Sequence, residues 1–300
     1  MAGLGQNVGT SFSLTARMNG ALTVGGRSYT AWYFTDGTPM SGRGFMGDRD
    51  LPSAHFECPE GQLVTVNFSN RSMMEHTIHL HGLDVDQAND GVPATSFAVP
   101  AMGSAVYRFT APHAGTYHYH CHVDTVIHYA RGMHGAVIVR PPGGQTNIAW
   151  SGGPAFDEEL LWQLSTVDTS WMNLSVSGPG TARFRPDGFL LNGLESAAAS
   201  ADPYSMVVLR QGQTAYVRLV NAAYQWARVR LGGLSFRVAA SDGRPMAAMP
   251  TVTEWELGPG ERYDLLLVGG QPGLRSATVE YLDDHSGGVL GAVSTRIQVI

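Results

Sequence analysis

Lysine is missing from this sequence of 300 residues, and all 19 basic side chains are arginine. Chemistry that needs a Schiff-base lysine or the lysine of a phosphate-binding loop is therefore excluded. Cysteine is scarce: Cys58 and Cys121 are too few for a disulfide framework. Charge is low, at 15% of residues, and the net charge of −6 comes with no run of basic residues, which argues against a nucleic-acid partner. No apolar stretch approaches the length of a membrane span, so no membrane partner is expected. The opening stretch, MAGLGQNVGTSFSL, has neither the charged start nor the apolar centre of a secretion signal, and the compartment stays unassigned.

What is present in quantity is apolar residues, at 43%, with 37 Gly and 16 Pro as frequent punctuation. That suits many short strands joined by turns. Alternating apolar segments at 62–68, 105–109, 116–120 and 136–140 read as strands of one sheet system. The Pro- and Gly-rich stretch at 140–154, RPPGGQTNIAWSGGP, reads as a linker. Further strand patterns follow at 205–209, 214–220, 234–239, 252–257, 264–268, 277–282 and 295–300, and no long segment has helical periodicity. The expectation is an all-β chain of two tandem sandwiches, over residues 1–145 and 146–300. GQLVTVNFSN in the first half is echoed by GQTAYVRLVN in the second, so the halves read as a duplication.

Histidine is distributed unevenly. Ten of the 11 lie between His55 and His134, and the remaining one is His285. Two clusters stand out: HTIHLHG, with His76, His79 and His81, and HYHCHVDTVIHYARGMHG, with His118, His120, Cys121, His122, His128 and Met133. Residues two apart in a strand share a face. His79 and His81 therefore pair, as do His120 and His122, while Cys121 points the other way. On the Cys121 side, a thiolate, two imidazoles and a thioether make the blue-copper donor set, with Cys121, His128 and Met133 supplied locally and His76 the best fourth ligand. Zinc or satisfied core histidines are the alternatives. On the opposite side, His79, His81, His120 and His122 suit further copper, the alternative being a polar patch without metal. His118 reads as an extra ligand or an exposed strand residue, and His55, His113 and His134 as structural. Met73, Met74 and Met102 read as core or loop residues, or as a soft copper-delivery patch.

HxxHxHG followed by HCH, a later His and a Met five residues on resembles the multicopper oxidases, in particular the two-domain, laccase-like group with type 1 copper in its first domain. The resemblance implies two cupredoxin-like Greek-key sandwich domains with copper as cofactor. It implies type 1 ligands His76, Cys121, His128 and Met133. It assigns His79 to type 2 copper and His81, His120 and His122 to type 3. A one-electron donor, a small molecule or a protein, would dock near a solvent-facing His128 edge, and oxygen would accept electrons at the second site. Two-domain members assemble as homotrimers so that a neighbour's second domain completes an eight-histidine cluster.

The second half departs from that pattern. RLGGLSF places Arg230 and Gly232 where the family carries ligands, and Asp283 and His285 are the sole ligand-capable pair at a spacing of two near the other expected position. Asp84, Asp86 and Asp90 follow the HLHG motif, and Asp86 is the accessory candidate for holding a histidine or moving protons. A blue electron carrier or copper-binding protein without oxidase activity, and a nitrite-reductase-like enzyme, are the competing functions.

Overall fold

Strands form here wherever alternate side chains have a face to bury. In Leu63–Asn70, Val64, Val66, Phe68 and Asn70 are buried while Leu63 and Asn67 face solvent. The computed structural model describes residues 4–5, 8–36, 49–174 and 183–300. Its first half contains β1 (Ser11–Val24), β2 (Arg27–Thr35), β3 (Phe56–Pro59), β4 (Leu63–Asn70), β5 (His79–His81), β6 (Ser104–Thr110), β7 (Gly115–His120), a short helix α1 (Thr125–Ala130) and β8 (His134–Arg140). These make two four-stranded sheets, ordered β2-β1-β4-β6 and β3-β8-β7-β5. One apolar core lies between them, containing Phe34, Phe68, Tyr107, Tyr119 and Cys121.

The second half contains β9 (Glu158–Val167), β10 (Gly188–Leu191), a one-turn helix α2 (Ser196–Ala199), β11 (Val207–Leu209), β12 (Thr214–Asn221), β13 (Trp226–Leu231), β14 (Phe236–Ser241), β15 (Arg244–Pro245), β16 (Thr251–Val252), β17 (Glu254–Leu257), β18 (Arg262–Val268), β19 (Gly273–Leu282) and β20 (Val289–Val299). Its sheets run β10-β9-β12-β18-β14-β15, with β16 on β14, and β11-β20-β19-β13-β17. A separate core forms around Trp162, Val217, Val229, Leu265 and Ile297.

The duplication read from the sequence is also one of topology. β1 runs parallel to β4, as β9 does to β12, and β3 parallel to β8, as β11 does to β20. Even one polar device recurs. Asn70 accepts from the Ser72 N–H and donates to the carbonyls of Met74 and Val99. Asn221 accepts from the Ala223 N–H and donates to the carbonyls of Gln225 and Leu257. Each asparagine satisfies a sharp turn that would otherwise bury unpaired backbone.

The halves are held together by apolar and ionic contacts. Ala136 and Ile138 of β8 pack on Leu161 and Val220, and Leu22, Val24 and Tyr33 pack on Val167 and Leu190. Between these patches lies a buried ionic network. Arg140 donates from Nε to Glu57 at 2.6 Å and from Nη1 and Nη2 to both oxygens of Glu159 at 2.8 and 2.7 Å. Arg218 donates from Nε to Glu159 at 2.7 Å and from Nη1 to Thr116 at 2.8 Å. Thr116 in turn donates to Asp264 at 2.6 Å. Only a planar, permanently charged fork can serve several carboxylate oxygens this way.

Glu57 makes this network pH-sensitive. Burial opposes its charge, but the hydrogen bond with His55 and the Arg140 guanidinium outweigh that and hold its carboxyl at about 2, below its ordinary 4.5. A carboxyl depressed on folding stabilises the fold fully above its unfolded pKa and loses that contribution as pH falls toward the folded value. Thermal unfolding followed between pH 5 and 2 should therefore show a loss on the order of 2–3 kcal/mol from this group. Glu57→Gln should be less stable at neutral pH and should show a flatter dependence across that window.

Candidate metal centre

The strand β7 ends at His120, and the chain continues through Cys121 and His122 before α1. Alternation sends Cys121 into the core of the first half, where it is fully buried. There Cys121 Sγ lies 3.2 Å from His128 Nδ1 and 3.6 Å from His76 Nδ1, and the two Nδ1 atoms are 3.2 Å apart. All three residues are fully buried, and the far ring nitrogens of both histidines have no partner. His76 is brought in from a distant segment through a two-way backbone bridge with Val99. Met133 is fully buried beside them, its carbonyl accepting from Cys121 N–H and its N–H donating to the His128 carbonyl.

The donor chemistry suits a soft transition metal. Burial, with the His128 charge adding to it, pushes His76 down to about 3, and burial pushes His128 down to about 4 against the pull of Asp124. Both imidazoles are thus neutral, as a ligand must be. Burial pushes the Cys121 thiol up to about 11, so a metal would have to displace its proton. Among the described residues no carboxylate joins this group, which leaves an N₂S set with a thioether close by.

On the opposite face, β5 pairs antiparallel with β7 so that His79 sits across from His120 and His81 across from His118. The ligand atoms of His79, His81 and His120 all lie within 4.8 Å of one another. The His122 ring stands 5.2 Å from His79 and 5.8 Å from His120. The outer nitrogens are anchored: His120 Nδ1 contacts the Cys121 carbonyl at 2.9 Å, and His79 Nδ1 contacts the Asp90 carbonyl at 2.8 Å and its carboxylate at 3.2 Å. Such contacts set the tautomer and aim the other nitrogen inward. Burial pushes His120 down to about 3, and burial together with Arg262 pushes His81 down to about 4. The Asp90 contact depends on Gly91, which has φ +72°; a Cβ there would lie 2.0 Å from the Ile78 carbonyl.

Several expected placements differ from the sequence reading. His128 is fully buried, with the Trp32 ring edge-on at 5.1 Å, so its imidazole does not face solvent. His118 is buried rather than exposed, 2.9 Å from the Tyr129 hydroxyl. Asp86 caps a short turn, accepting from Asn89, and the carboxylate that reaches a histidine is that of Asp90. Asp283 accepts from the N–H groups of His285 and Ser286 and faces Arg183 at 3.5 Å; neither it nor His285 belongs to a ligand group among the described residues. Arg230 lies on the outer face of β13, paired with Glu254 and Glu280, and Gly232 occupies a turn at φ +62°.

Sequence reasoning missed two neighbours altogether. Arg262 from β18 packs against the HLHG turn, and a Cβ on Gly82 would lie 2.1 Å from its Nη2. Gly260 lies against the same site, since a Cβ there would meet His81 Cε1 at 3.1 Å. No motif marks these residues; they reach the site through the contact between the halves.

Comparison with known proteins gives a consistent picture. Residues 27–144 and 162–274 each match a family model described as multicopper oxidase. Laccase-15 of Oryza sativa subsp. japonica is 30% identical over 239 residues, covering 74% of this chain and 38% of that protein. Multicopper oxidase MmcO of Mycobacterium tuberculosis is 27% identical over 242 residues, covering 72% of this chain and 46% of that protein. The chain thus spans less than half the length of these relatives. The crystal structure of blue copper oxidase from Nitrosomonas europaea superposes with a TM-score of 0.74 at 26% identity, covering 96% of this chain and 85% of that one.

Replacing Asp90 by Ala keeps its carbonyl contact and removes the carboxylate from His79. Copper affinity of the His79–His81–His120 group should fall about tenfold while the Cys121 group keeps its affinity. Copper titration followed by electron paramagnetic resonance reads the two separately, and equal affinity at both would remove the role given to Asp90.

Proposed function

The chain belongs to the multicopper oxidases, and from that membership we propose that it is a laccase-like, copper-dependent oxidoreductase whose copper is held in the half before residue 145. The observation that carries this reading is the buried convergence of His76 Nδ1, His128 Nδ1 and Cys121 Sγ within 3.6 Å. These three residues, with Met133 alongside, would hold type 1 copper. His79, His81, His120 and His122 would hold the second site, type 2 or type 3 in kind. Copper supplies one-electron redox chemistry at the first site and the reduction of oxygen at the second.

The chain's own residues account for the rest. Cys121 and His120 are sequence neighbours, and the His120 ring contacts the Cys121 carbonyl, so the two loci are linked through one peptide unit. Burial of Cys121, His76 and His128 excludes water from the three donor atoms that would hold the metal. Asp90 holds His79 in one tautomer, and the Arg262 charge disfavours protonation of His81. The second half contributes neither of the two ligand groups found among the described residues. We propose a homotrimer in which a neighbouring chain faces the side of the second site not covered by Arg262; sedimentation of the copper-loaded protein tests it.

Copper-loaded protein should show an intense blue absorption together with a second class of copper, at two or more coppers per chain. Cys121→Ser should abolish the blue colour and reduce oxygen uptake with one-electron donors by more than about 100-fold, since the electron then has no first acceptor. One copper per chain with no oxygen uptake would instead leave an electron carrier. Blue colour surviving in Cys121→Ser would sink the ligand assignment.

A further inference from the structure

Of the four buried arginines among the described residues, three face carboxylates: Arg140 pairs with Glu57, Arg218 with Glu159 and Arg262 with Asp242. The fourth is Arg131, which ends α1 and is 8% exposed. Among the described residues no carboxylate pairs with it. Its Nη2 donates to the carbonyls of Leu174 at 2.5 Å and Trp171 at 3.3 Å, and its Nε has no partner. Its Cζ sits 4.4 Å over the Trp32 ring. Burial pushes its pKa down with no acid to oppose the shift, yet a guanidinium stays charged at any working pH. A buried cation without an anion costs stability, and a neutral amide could serve the same two carbonyls. The hydrogen bonds therefore do not explain the charge.

That charge lies beside the Cys121 group. The Trp32 ring under Arg131 also meets the His128 imidazole, edge-on at 5.1 Å. Burial, with the Arg131 charge adding to it, disfavours protonation of His128, while Asp124 pulls the other way. Asp124 stands at the opposite end of α1 and is exposed, so water and salt screen it. Trp32, His128 and Arg131 are all buried, and a charge among them is screened much less. Accepting one electron lowers the charge of the Cys121 group by one and moves no proton. A fixed cation nearby favours that change.

We infer that Arg131 is a redox-tuning residue, whose unneutralised charge, opposed by the exposed Asp124, makes the Cys121 group a stronger one-electron acceptor and so widens the range of donors it can oxidise. The inference rests on the proposed oxidase reading. Both carbonyls that hold Arg131 belong to the second half, so that half acts on the metal of the first without supplying a ligand. A unit charge acting across roughly 10 Å at an effective dielectric of about 20 changes an equilibrium constant about tenfold.

Anaerobic titration of copper-loaded protein with the ferricyanide–ferrocyanide couple, read at the blue band, tests this. Arg131→Gln keeps a donor for the carbonyls and removes the charge. It should make reduction about tenfold less favourable, a fall of about 59 mV for one electron, with the band position and the electron paramagnetic resonance signal unchanged. Arg131→Lys, measured at pH 6 where a lysine is charged, should stay within about twofold of wild type. A lysine variant that falls as far as the glutamine variant would assign the effect to lost hydrogen bonds and overturn the inference. So would an unshifted potential in Arg131→Gln.

Asp124→Asn alters an exposed side chain and decides the point even if no Arg131 variant folds. It should make reduction more favourable at about 0.05 M salt, and the gain should vanish near 1 M, where exposed charges are screened. The Arg131→Gln shift should persist at both. No gain in Asp124→Asn at low salt would show that charges at the ends of α1 do not reach the metal, and would overturn the inference. Wild-type protein that takes up copper without a blue band fails the oxidase reading and this inference together. Blue protein with an unshifted potential in these variants fails this inference alone.

Discussion

The ionic network of Arg140, Glu57, Glu159, Arg218 and Asp264 is the constraint on which the placement of everything else depends. All five side chains are essentially removed from water. Charges in such a position are costly unless they are paired, as all five are here although Arg218 Nη2 has no hydrogen-bond partner among the described residues, and breaking one pair strands another charge. The network therefore tolerates one relative position of the two halves rather than adding much net stability. Thr116 ties this network to β7 and lies on the same face as His118 and His120. By fixing Thr116 against Arg218 and Asp264, the second half fixes the histidine face of β7 at the interface. Arg262 and Gly260 then reach His81, and Tyr224 reaches α1.

A second constraint is strand parity. The alternation that sends His118 and His120 toward the interface sends Cys121 into the core, so one short stretch supplies both metal loci. Their separation is that of adjacent residues. The two loci differ in surroundings. The Cys121 group is sealed by Trp32, Ile127 and Tyr107, while His79 and His81 keep partial exposure. The two groups thus differ in access: one is sealed in the core and the other keeps a partly open side.

In the second half the same topology carries different chemistry. β13 pairs with β19 as β5 pairs with β7, but Arg230 faces Thr278 where His79 faces His120 in the first half. Arg228 and Arg230 instead form an exposed ladder with Glu254, Glu256 and Glu280. The duplicated scaffold has thus kept its cores and its Asn221 turn while its ligand positions became a solvated ion-pair surface. Exposed pairs of this kind contribute little stability, so their effect is on solubility and on what can dock there.

Much was legible in the sequence because its signals are local. Spacing of two assigns faces, so the pairing of His79 with His81 and the opposed direction of Cys121 could be read directly, as could the all-β class and the duplication. Strands such as Glu158–Val167 were missed because both of their faces are buried, and burial on both sides erases alternation. Asp90 could not be separated from Asp84 and Asp86 by spacing, since the choice depends on how Gly91 lets the backbone fold back on Ile78. The sequence by itself determined which residue types can bind metal and on which side of a strand each lies, because those follow from side-chain chemistry and backbone period. Only the tertiary structure decided that His128 is buried, that Arg262 sits on His81 and that Arg131 stacks on the Trp32 ring beside His128. Those depend on contacts between segments a hundred residues apart, which a buried network of arginines locks into one arrangement.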